Sequence, residues 1–331
     1  MTNGGQPVLV TGAGGFVGSR LVRELVSRGI PVRAMVRDLR KTGELQGLDI
    51  EMVQADMKDA ASLARAVEGV GGVYHIAALF RQAGLPDAEF FDVNVEGTRR
   101  LLDASIAAGV RRFVHCSTVG VLGHVENPPA DEQTPYNPGD VYQRSKMEGE
   151  KIALDYFRSG RLPGVVIRPA MIWGPGDTRT LKMFHMIARG RFFYVGRGMA
   201  LVHFIDVRDL ARAFVLAMEK TERSGEVYII AGRQSLPLRS LAEAIAGRLA
   251  VLPPRLCLPV KPMQWLGSLC EAVCTPFGIQ PPLYRRRVDF YTKSRSFNGA
   301  KADRELGFRP AKSLVEEVDD IIADYKARGW L

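Results

Sequence analysis

Tyr142 and Lys146 stand four residues apart in the segment VYQRSKMEGE. On a helix, positions i and i+4 share one face, so both head groups can reach a single cleft. A free tyrosine has a pKa of about 10, and a nearby lysine cation lowers that pKa because it favours the phenolate. The pair can therefore move a proton to or from a substrate near neutral pH. The same spacing also arises by chance on solvated helices.

Two hydroxyl side chains, Ser117 and Thr118, lie upstream in the segment HCSTVG. They end an apolar run at 111–118 that predicts a buried strand. Doubly wound parallel sheets bind ligands at the carboxyl ends of their strands, so these hydroxyls can hold a substrate oxygen there. The alternative interpretation is a pair of ordinary helix or loop caps.

A glycine-rich segment, TGAGGFVG, follows the first predicted strand and opens a predicted helix. Glycines in that position let the backbone turn tightly and approach a pyrophosphate, which then lies at the positive N-terminus of the helix. The alternative is a structural turn without a ligand. On the first interpretation the cofactor-binding residues are Gly12, Gly14, Gly15, Phe16, Val17 and Gly18.

The second predicted strand, 31–37, ends on Arg37, and Asp38, Arg40 and Lys41 follow. An acidic residue at this point usually accepts hydrogen bonds from the adenosine ribose of NAD. A guanidinium instead pairs with the 2′-phosphate of NADP and can stack on adenine. Arg37 therefore favours NADP as the cofactor. NAD stays open, because Arg37 can also be a solvated charge with Asp38 on the ribose.

Short apolar runs alternate with helical patterns along the chain, and the alternation is regular as far as Pro169. It predicts an α/β fold, a Rossmann doubly wound parallel sheet with helices on both faces. We expect a dinucleotide-binding domain at 1–169, to which 206–230 returns, and a smaller, mostly C-terminal substrate-binding part at 170–205 and 231–331. The predicted strands lie at 7–12, 31–37, 49–55, 72–78, 111–118, 164–169 and 226–230, and the predicted helices at 16–28, 62–69, 94–109, 141–159, 207–220, 238–250, 260–275, 301–307 and 313–328.

Composition limits the class of protein. The chain has 331 residues, 46% hydrophobic and 24% charged, which is an ordinary globular mixture and excludes disorder for its bulk. Four cysteines without a CxxC pair argue against a disulfide scaffold and against structural zinc, so no metal is expected. The N-terminus lacks a secretory pattern and no apolar run reaches about 18 residues, so we expect a soluble, cytoplasmic protein.

The net charge of +9 allows a nucleic acid, an anionic membrane surface or a phosphorylated ligand as partner. No motif supports nucleic acid. Nine basic and three acidic residues lie between 281 and 312, beside an apolar segment at 256–284 that carries only Lys261 and Glu271. Its large apolar side chains can line a substrate pocket, dock on a membrane through 256–287, or pack as a lid helix on the core. They are Met263, Trp265, Leu266, Leu269, Val273 and Phe277.

Together, these motifs resemble the short-chain dehydrogenase/reductase superfamily in its extended, NAD-dependent epimerase/dehydratase form. The glycine fingerprint, the strand-end hydroxyl and the YxxxK pair occur in the family's order and on its elements, over nearly the whole chain. The resemblance implies that Tyr142 is the acid/base and that Lys146 lowers its pKa and holds the nicotinamide ribose. It also implies that Thr118, with Ser117 as the neighbouring candidate, positions the substrate oxygen.

Further matches to the family follow by position. Asp56, with Met57 beside it, resembles the aspartate that meets the adenine. The HIAA segment at 75–78 resembles the fourth-strand segment that lines the cofactor, which makes Ala77 and Ala78 cofactor contacts. Pro169 resembles the proline beside the nicotinamide. Asn94 resembles a helix asparagine with a structural role, and His75 and His115 are interpreted as core or cofactor-adjacent residues and not as metal ligands.

Two branches of the family compete. VRAMVRD and VIRPAMIWGPGD resemble the 3β-hydroxysteroid dehydrogenases and dihydroflavonol reductases. Nucleotide-sugar epimerases and dehydratases carry an arginine that grips the diphosphate, but here Val202 stands at that position and His203 where an aspartate is usual. The pattern favours hydride transfer to or from a secondary alcohol or ketone of an apolar substrate. The sugar branch stays open if Arg179, Lys182, Arg191 or Arg197 takes over the phosphate.

The resemblance also implies a homodimer through the helices near 94–109 and 141–159. Some proteins of this fold bind NADP only as redox sensors, and they generally lose the Tyr/Lys pair. This chain keeps Tyr142, Lys146 and Thr118, so the sensor is the lesser alternative.

Overall fold

The structure is a computed structural model that describes residues 5–80, 82, 84–220, 222, 224–274, 288 and 291–331. Its strands are β1 (Val8–Thr11), β2 (Val32–Val36), β3 (Glu51–Gln54), β4 (Gly72–His75), β5 (Arg112–Cys116), β6 (Gly164–Pro169), β7 (Met171–Trp173), β8 (Tyr194–Val195), β9 (Leu201–Val202), β10 (Phe204–Asp206), β11 (Glu226–Ile230), β12 (Leu236–Pro237) and β13 (Cys257–Leu258). Its α-helices are α1 (Phe16–Ser27), α2 (Ala60–Val67), α3 (Asp87–Phe91), α4 (Gly97–Ala107), α5 (Val141–Arg158), α6 (Thr178–Ala188), α7 (Val207–Glu219), α8 (Leu238–Arg248), α9 (Val260–Cys274), α10 (Ala300–Leu306) and α11 (Leu314–Ala327).

The central sheet has seven strands in the order β11-β6-β5-β4-β1-β2-β3, and every neighbouring pair is parallel. Strands that are buried on both faces are rich in apolar side chains, which is the pattern of Val8–Val10 in β1 and Val165–Ile167 in β6. From β1 the chain adds β2 and β3 on one side, and it then crosses back to place β4 on the other side of β1. This switch point, between β1 and β4, opens a crevice at the carboxyl ends of those two strands. The predicted doubly wound sheet is confirmed.

Helices cover both faces of the sheet. On one face α1 and α7 pack together over Val10, Val114 and Ile167, and Ala302 and Leu306 of α10 join the same core. On the other face α2, α4 and α5 pack side by side over Leu9, Val73 and Phe113. Helices α4 and α5 both lie on this second face. From there Lys146 of α5 reaches the carbonyl of Cys116 at the carboxyl end of β5.

The remaining elements form a third core, in which Trp173 and Phe184 are fully buried. It joins α6, α8 and α11 beside the sheet. The Trp173 indole donates to Oε2 of Glu317 across 2.8 Å, and burial raises the pKa of Glu317 to about 7. The sequence patterns did not predict α6, because residues 170–205 carry many glycines and aromatics and hide its short helical period.

Helix α9 lies largely on the surface. Trp265, Leu266, Leu269 and Val273 are all exposed, so these side chains do not pack on the core as a lid helix would require. Phe277 and residues 285–287 lie outside the described residues. Among the helices within the described ranges, none combines the length and the apolar character needed to cross a membrane.

A buried ion pair fixes α5 to the sheet. Glu150 of α5 is fully buried and accepts hydrogen bonds from Nε and Nη2 of Arg168 on β6, at 3.0 and 2.5 Å. It also accepts from the Tyr136 hydroxyl at 2.8 Å and from the Ser117 hydroxyl. Four donated hydrogen bonds onto one carboxylate compensate for its loss of water. The network therefore holds the helix that carries Tyr142.

Replacing Glu150 with Ala should destabilise the protein strongly, because the Arg168 guanidinium would stay buried without its partner. We expect a loss of about 3–5 kcal/mol in the free energy of unfolding, measured by urea denaturation. The control is Glu148→Ala on the same helix, whose carboxylate pairs with Lys151 at 3.0 Å on the surface and should cost about 1 kcal/mol or less. Equal effects of the two substitutions would contradict this account of the network.

Candidate functional site

The glycine-rich loop between β1 and α1 lies against the segment that follows β4. Gly12 has φ +67°, and a Cβ placed there would lie 2.9 Å from the Cα of Ala77. A Cβ at Gly18 would lie 2.2 Å from the carbonyl oxygen of Gly12. Side chains at either position would push the loop away from the switch-point crevice. Glycine is therefore required at both positions by backbone contact.

The N-terminus of α1 presents backbone donors to this crevice. Gly15 is the N-cap, no side chain caps the helix and its first turn holds no acidic residue. The first N–H groups of the helix are therefore available to an anion, which the positive end of the helix dipole attracts. The Arg179 guanidinium lies over the Phe16 ring, with its Cζ atom 5.1 Å from the ring centre. Val17 packs against the core that α1 and α7 cover.

The end of β2 lies beside the glycine loop, since a Cβ at Gly14 would be 3.4 Å from the Lys41 carbonyl oxygen. Arg37 is exposed, and within the described part of the chain its guanidinium has no carboxylate partner. The neighbouring Asp38 is engaged by Arg40, which donates from its backbone N–H and Nε, both at 3.0 Å. These hydrogen bonds lower the pKa of Asp38 and hold its carboxylate away from other donors.

The segments that follow β3 and β4 carry the next group of predicted contacts. The Asp56 carboxylate accepts from the backbone N–H of Lys58 at 2.9 Å, and Met57 is buried against Gly97. Ala77 donates its N–H to the Thr11 hydroxyl, while Ala78 is exposed just beyond it. The structure thus brings the glycine loop, Arg37, Asp56, Met57, Ala77 and Ala78 around one crevice.

A directed chain of hydrogen bonds runs beneath this crevice through His75. The Thr11 hydroxyl accepts from the N–H groups that follow His75, so it donates its own proton to Nδ1, 3.0 Å away. Nε2 must then carry the ring proton and donate to Thr98, which donates to the carbonyl of Asn94. Burial lowers the pKa of His75 to about 3, so the ring is neutral. Both nitrogens of His75 serve the fold, as the sequence interpretation expected.

His115 is the neighbour of His75, with 5.2 Å between ring centres. It is fully buried, and neither of its ring nitrogens has a hydrogen-bond partner among the described residues. Burial, reinforced by the Lys146 cation, keeps its pKa well below the ordinary value. Two adjacent imidazoles therefore stay uncharged next to one ammonium group.

Asn94 joins the end of β4 to α5. It lies in a single π-helical turn, Asp92–Glu96, which leads into α4. Its side-chain oxygen accepts from the N–H of Leu79 at 2.7 Å, and its amide donates to the Leu79 carbonyl and to the Ser145 hydroxyl. With these donors and acceptors engaged, the asparagine is a structural clamp, in agreement with its expected structural role.

Lys146 is the centre of the site. The side chain is 3% exposed, and its ammonium donates to the carbonyl oxygen of Cys116, the last residue of β5, at 2.6 Å. Burial lowers the pKa of this ammonium. Tyr142, one turn earlier on α5, is half-buried, and its ring meets the edge of Phe80 at 5.0 Å between centres. The i, i+4 pair thus lies at the carboxyl end of β5.

The two candidate hydroxyls point to different partners. The Thr118 oxygen accepts the N–H of Gly120 at 3.0 Å as a cap, which leaves its proton to donate elsewhere. The next turn lies against α5, because a Cβ at Gly120 would be 3.4 Å from the Gln143 side chain. The Ser117 hydroxyl is buried and donates to Glu150. Of the two, Thr118 is the hydroxyl whose proton has no acceptor within the described residues.

Three further positions from the sequence analysis lie at or beyond the end of β6. Pro169 ends β6, where it is paired with Ile230 of β11. Val202 is fully buried, and His203 has both ring nitrogens in use, with Phe297 N at 3.2 Å and the Gly232 carbonyl at 2.9 Å. Val202 and His203 are therefore held by the fold.

Three contacts of the site were not expected from sequence. Phe80 on Tyr142, Arg179 over Phe16 and the Glu150–Arg168 pair all join segments that are distant in the chain. Phe80 lies two residues after the HIAA segment, and this position was the one available signal. A cleft of about 600 Å³ beside β11, partly lined by Arg233 and Ser296, contains none of the candidate groups. In the described ranges, no cluster of acidic, His and Cys side chains could hold a metal ion.

Comparisons with known proteins agree with this geometry. A model of the NAD dependent epimerase/dehydratase family matches residues 8–231. Sterol demethylase protein B of Methylococcus capsulatus is 32% identical, over 98% of this chain and 99% of its own. The 3 beta-hydroxysteroid dehydrogenase/Delta 5-->4-isomerase of Mycobacterium tuberculosis is 29% identical, over 96% and 90%.

Among solved structures, the crystal structure of gox2253 superposes with a TM-score of 0.84 at 32% identity, covering 98% of this chain and 99% of the other. The family match covers most of the chain and includes every strand of the central sheet. The chain therefore belongs to the NAD-dependent epimerase/dehydratase family of extended short-chain dehydrogenases/reductases and is an NAD(P)-dependent oxidoreductase.

Proposed function

We propose that the protein transfers a hydride between a nicotinamide and a secondary alcohol or ketone carbon of an apolar substrate. The observation that carries this proposal is the buried Lys146 ammonium, held at the carboxyl end of β5 one turn from Tyr142. Burying a charged lysine is costly, and within the described residues this ammonium donates to a single acceptor, the Cys116 carbonyl. Its remaining N–H donors suit the ribose hydroxyls of a bound dinucleotide and the electrostatic activation of Tyr142.

The residues around the crevice fit a dinucleotide. The uncapped N-terminus of α1 would hold the pyrophosphate, and the close approaches at Gly12 and Gly18 leave the loop without side chains that would block it. Asp56 with Met57 would lie on the adenine side, Ala77 and Ala78 would line the cofactor, and Pro169 would lie beside the nicotinamide. When bound, the nicotinamide supplies or accepts the hydride.

The protein groups then handle the proton. Thr118 donates a hydrogen bond from its hydroxyl to the substrate oxygen and so orients the carbonyl. In the reducing direction Tyr142 gives its proton to that oxygen as the hydride reaches the carbon, and in the oxidising direction it takes the proton back. Lys146 stabilises the phenolate that remains, since a cation nearby favours the charged form of tyrosine. Ser117 serves the Glu150 network in this scheme and does not contact the substrate.

The residues that stand where nucleotide-sugar enzymes carry a diphosphate-binding arginine support an apolar substrate. Val202 is buried and His203 is fully hydrogen-bonded, so neither can bind a diphosphate. Arg179 is paired with Asp177 at 2.7 Å and donates to the Ile172 carbonyl. We therefore favour a sterol-, lipid- or polyphenol-like alcohol over a nucleotide sugar, which stays the alternative through Lys182, Arg191 or Arg197. A non-catalytic NADP sensor is disfavoured because Tyr142, Lys146 and Thr118 are all present.

The remaining expectations stay part of the proposal. They are the division into a cofactor domain at 1–169 with 206–230, a substrate part at 170–205 and 231–331, a homodimer built on α4 and α5, and a cytoplasmic location with peripheral membrane contact through 256–287.

Tyr142→Phe should abolish turnover and leave dinucleotide binding intact, because it removes one hydroxyl without changing the packing against Phe80. We expect kcat to fall by roughly 10²–10⁴-fold, the usual contribution of general acid/base catalysis. The control is Tyr156→Phe on the same helix, whose hydroxyl donates to Asp103 at 2.6 Å. Full activity of the Tyr142 variant against a panel of steroid and aromatic ketones that the wild type reduces would refute the assignment.

Arg37→Glu should reverse the cofactor preference, since a carboxylate repels the 2′-phosphate of NADP. We expect the Kd for NADP to rise about tenfold or more while the Kd for NAD changes little, measured by calorimetry. Arg65→Glu makes the same charge change in the last turn of α2, which lies by the start of β2, where Arg33 donates to the Ala66 carbonyl at 3.1 Å, and should leave both constants alone. An unchanged NADP affinity in the Arg37 variant would favour NAD as the cofactor.

Gly12→Ala should weaken dinucleotide binding, because its Cβ would meet the Ala77 backbone and displace the loop. Gly29→Ala is the matched control: Gly29 has φ +69°, but nothing lies within 4 Å of its Cβ position. Both variants pay about 1–2 kcal/mol for a left-handed alanine, so both should lose similar stability from strain alone. Only the Gly12 variant should also lose affinity for the dinucleotide, by about tenfold or more. Equal affinities would place the cofactor elsewhere.

A further inference from the structure

Helix α9 exposes its large apolar side chains, whereas a surface helix usually buries them against the core. At about 100° per residue, Trp265, Leu266, Leu269 and Val273 fall within an arc of about 100°. All four are exposed, Trp265 by 70% and Val273 by 56%. The opposite side of the helix carries Gly267, which is the one buried residue of α9, all of whose residues are described. We call the four exposed residues the α9 apolar face.

More exposed apolar side chains lie on the elements joined to α9. Strand β13, which immediately precedes the helix, pairs with β8, and Leu256 accepts a backbone hydrogen bond from Tyr194 at 2.9 Å. Leu252 and Met199, which flank these two strands, are exposed as well. Elsewhere in the described residues the large exposed apolar side chains occur singly, at Leu39, Met52, Phe80, Ile106 and Val315. Clustered exposure of this kind marks an interaction surface.

Unpaired cations surround this surface. Arg191, Arg197, Arg255 and Lys261 are exposed, and none forms an ion pair with a carboxylate in the part of the chain that the structure describes. Residues 178–200 contain no acid, and residues 251–274 contain only Glu271. By contrast, Lys301, Arg309 and Lys312, from the basic stretch at 281–312, pair with Glu226, Asp303 and Asp320. Free cations therefore lie at the β8–β13 corner, whereas these three cations of the basic stretch are paired.

We propose that the α9 apolar face and its flanking cations dock on the surface of an anionic lipid bilayer, with α9 lying in the interface. Apolar side chains centred on a tryptophan enter the boundary of the acyl chains, and basic side chains at the edge bind lipid phosphates. A helix of 15 residues is too short to cross a bilayer, so it lies on the membrane and does not span it.

Charge favours a bilayer over a second copy of the chain. A two-fold contact brings the same patch of both copies together, so the four cations would face four cations with almost no acid to match them. An anionic lipid surface instead supplies many phosphates and needs no precise partner geometry. Such docking would give an apolar substrate direct passage from the bilayer, although binding to the bilayer needs neither cofactor nor turnover.

The test is co-sedimentation of the full chain with vesicles of phosphatidylcholine mixed equally with phosphatidylglycerol, compared with phosphatidylcholine alone. Wild type should bind the mixed vesicles more tightly, and added salt should weaken that binding. Trp265→Gln/Leu269→Gln should bind at least about tenfold more weakly to both vesicles. Val315→Gln, 45% exposed on α11, is the control and should bind as wild type does.

The charges are tested separately. Arg255→Gln/Lys261→Gln should lose about fivefold in affinity per cation for the mixed vesicles and keep the weak binding to phosphatidylcholine. Tryptophan fluorescence supplies an independent readout, since the chain has three tryptophans and Trp173 is fully buried. The emission of wild type should shift to the blue on vesicle binding, and the Trp265 variant should show no shift.

Two results would overturn the proposal. One is that the wild type fails to bind mixed vesicles at physiological salt. This includes the case in which sedimentation velocity shows a dimer of the wild type that the substitutions Trp265→Gln/Leu269→Gln dissociate. The other is a double variant that binds vesicles as tightly as wild type. Neither depends on the oxidoreductase assignment, because the vesicle assay contains no cofactor or substrate, and loss of activity in Tyr142→Phe leaves its outcome unchanged.

Discussion

A buried ammonium group at the end of β5 is the constraint on which the site depends. The Lys146 side chain is almost fully buried, and its hydrogen bond to the Cys116 carbonyl joins helix α5 to strand β5. A charge in that position is costly unless its remaining donors find acceptors or it acts on a neighbouring group. The arrangement is therefore best understood as a site prepared for a dinucleotide and for a tyrosine one turn away.

The surrounding polar groups keep that charge isolated and fixed. His75 and His115 are held neutral by burial, so Lys146 is the cation that faces the crevice from this side. Asn94 ties the segment after β4 to Ser145 of α5, and Glu150 with Arg168 ties a later turn of the same helix to β6. Two separate networks thus set the position of α5, and the position of Tyr142 follows from that of the helix.

The sequence predicted the parts of this structure that depend on local pattern. The strands and helices of the sheet appear within one to three residues of their predicted ends, because apolar periodicity and glycine stops are local signals. The motifs that contain Gly12, Thr118 and Lys146 are local as well, and the roles assigned to these residues stay predictions. Helix α6 was not predicted because its period is short and lies among glycines and aromatics.

Contacts between distant segments could not be predicted in the same way. Nothing local in the sequence pairs Glu150 with Arg168 or places Phe80 on Tyr142, because these contacts exist only after the sheet has formed. The same limit applied to charge and exposure. The sequence located the basic excess at 281–312, whereas the structure pairs several of those cations and leaves free ones at the β8–β13 corner. Whether α9 is covered or exposed was equally a question for the tertiary structure.

The most direct test of the central claim is the ionisation of the Tyr142 phenol in the NADP-bound protein. It is measured as the ultraviolet difference between wild type and Tyr142→Phe across a pH titration, and it needs no knowledge of the substrate. If Lys146 activates Tyr142, the phenol should ionise with a midpoint clearly below the ordinary pKa of about 10. A midpoint at or above that value would show that the buried ammonium does not prepare Tyr142 for proton transfer, and would contradict the account.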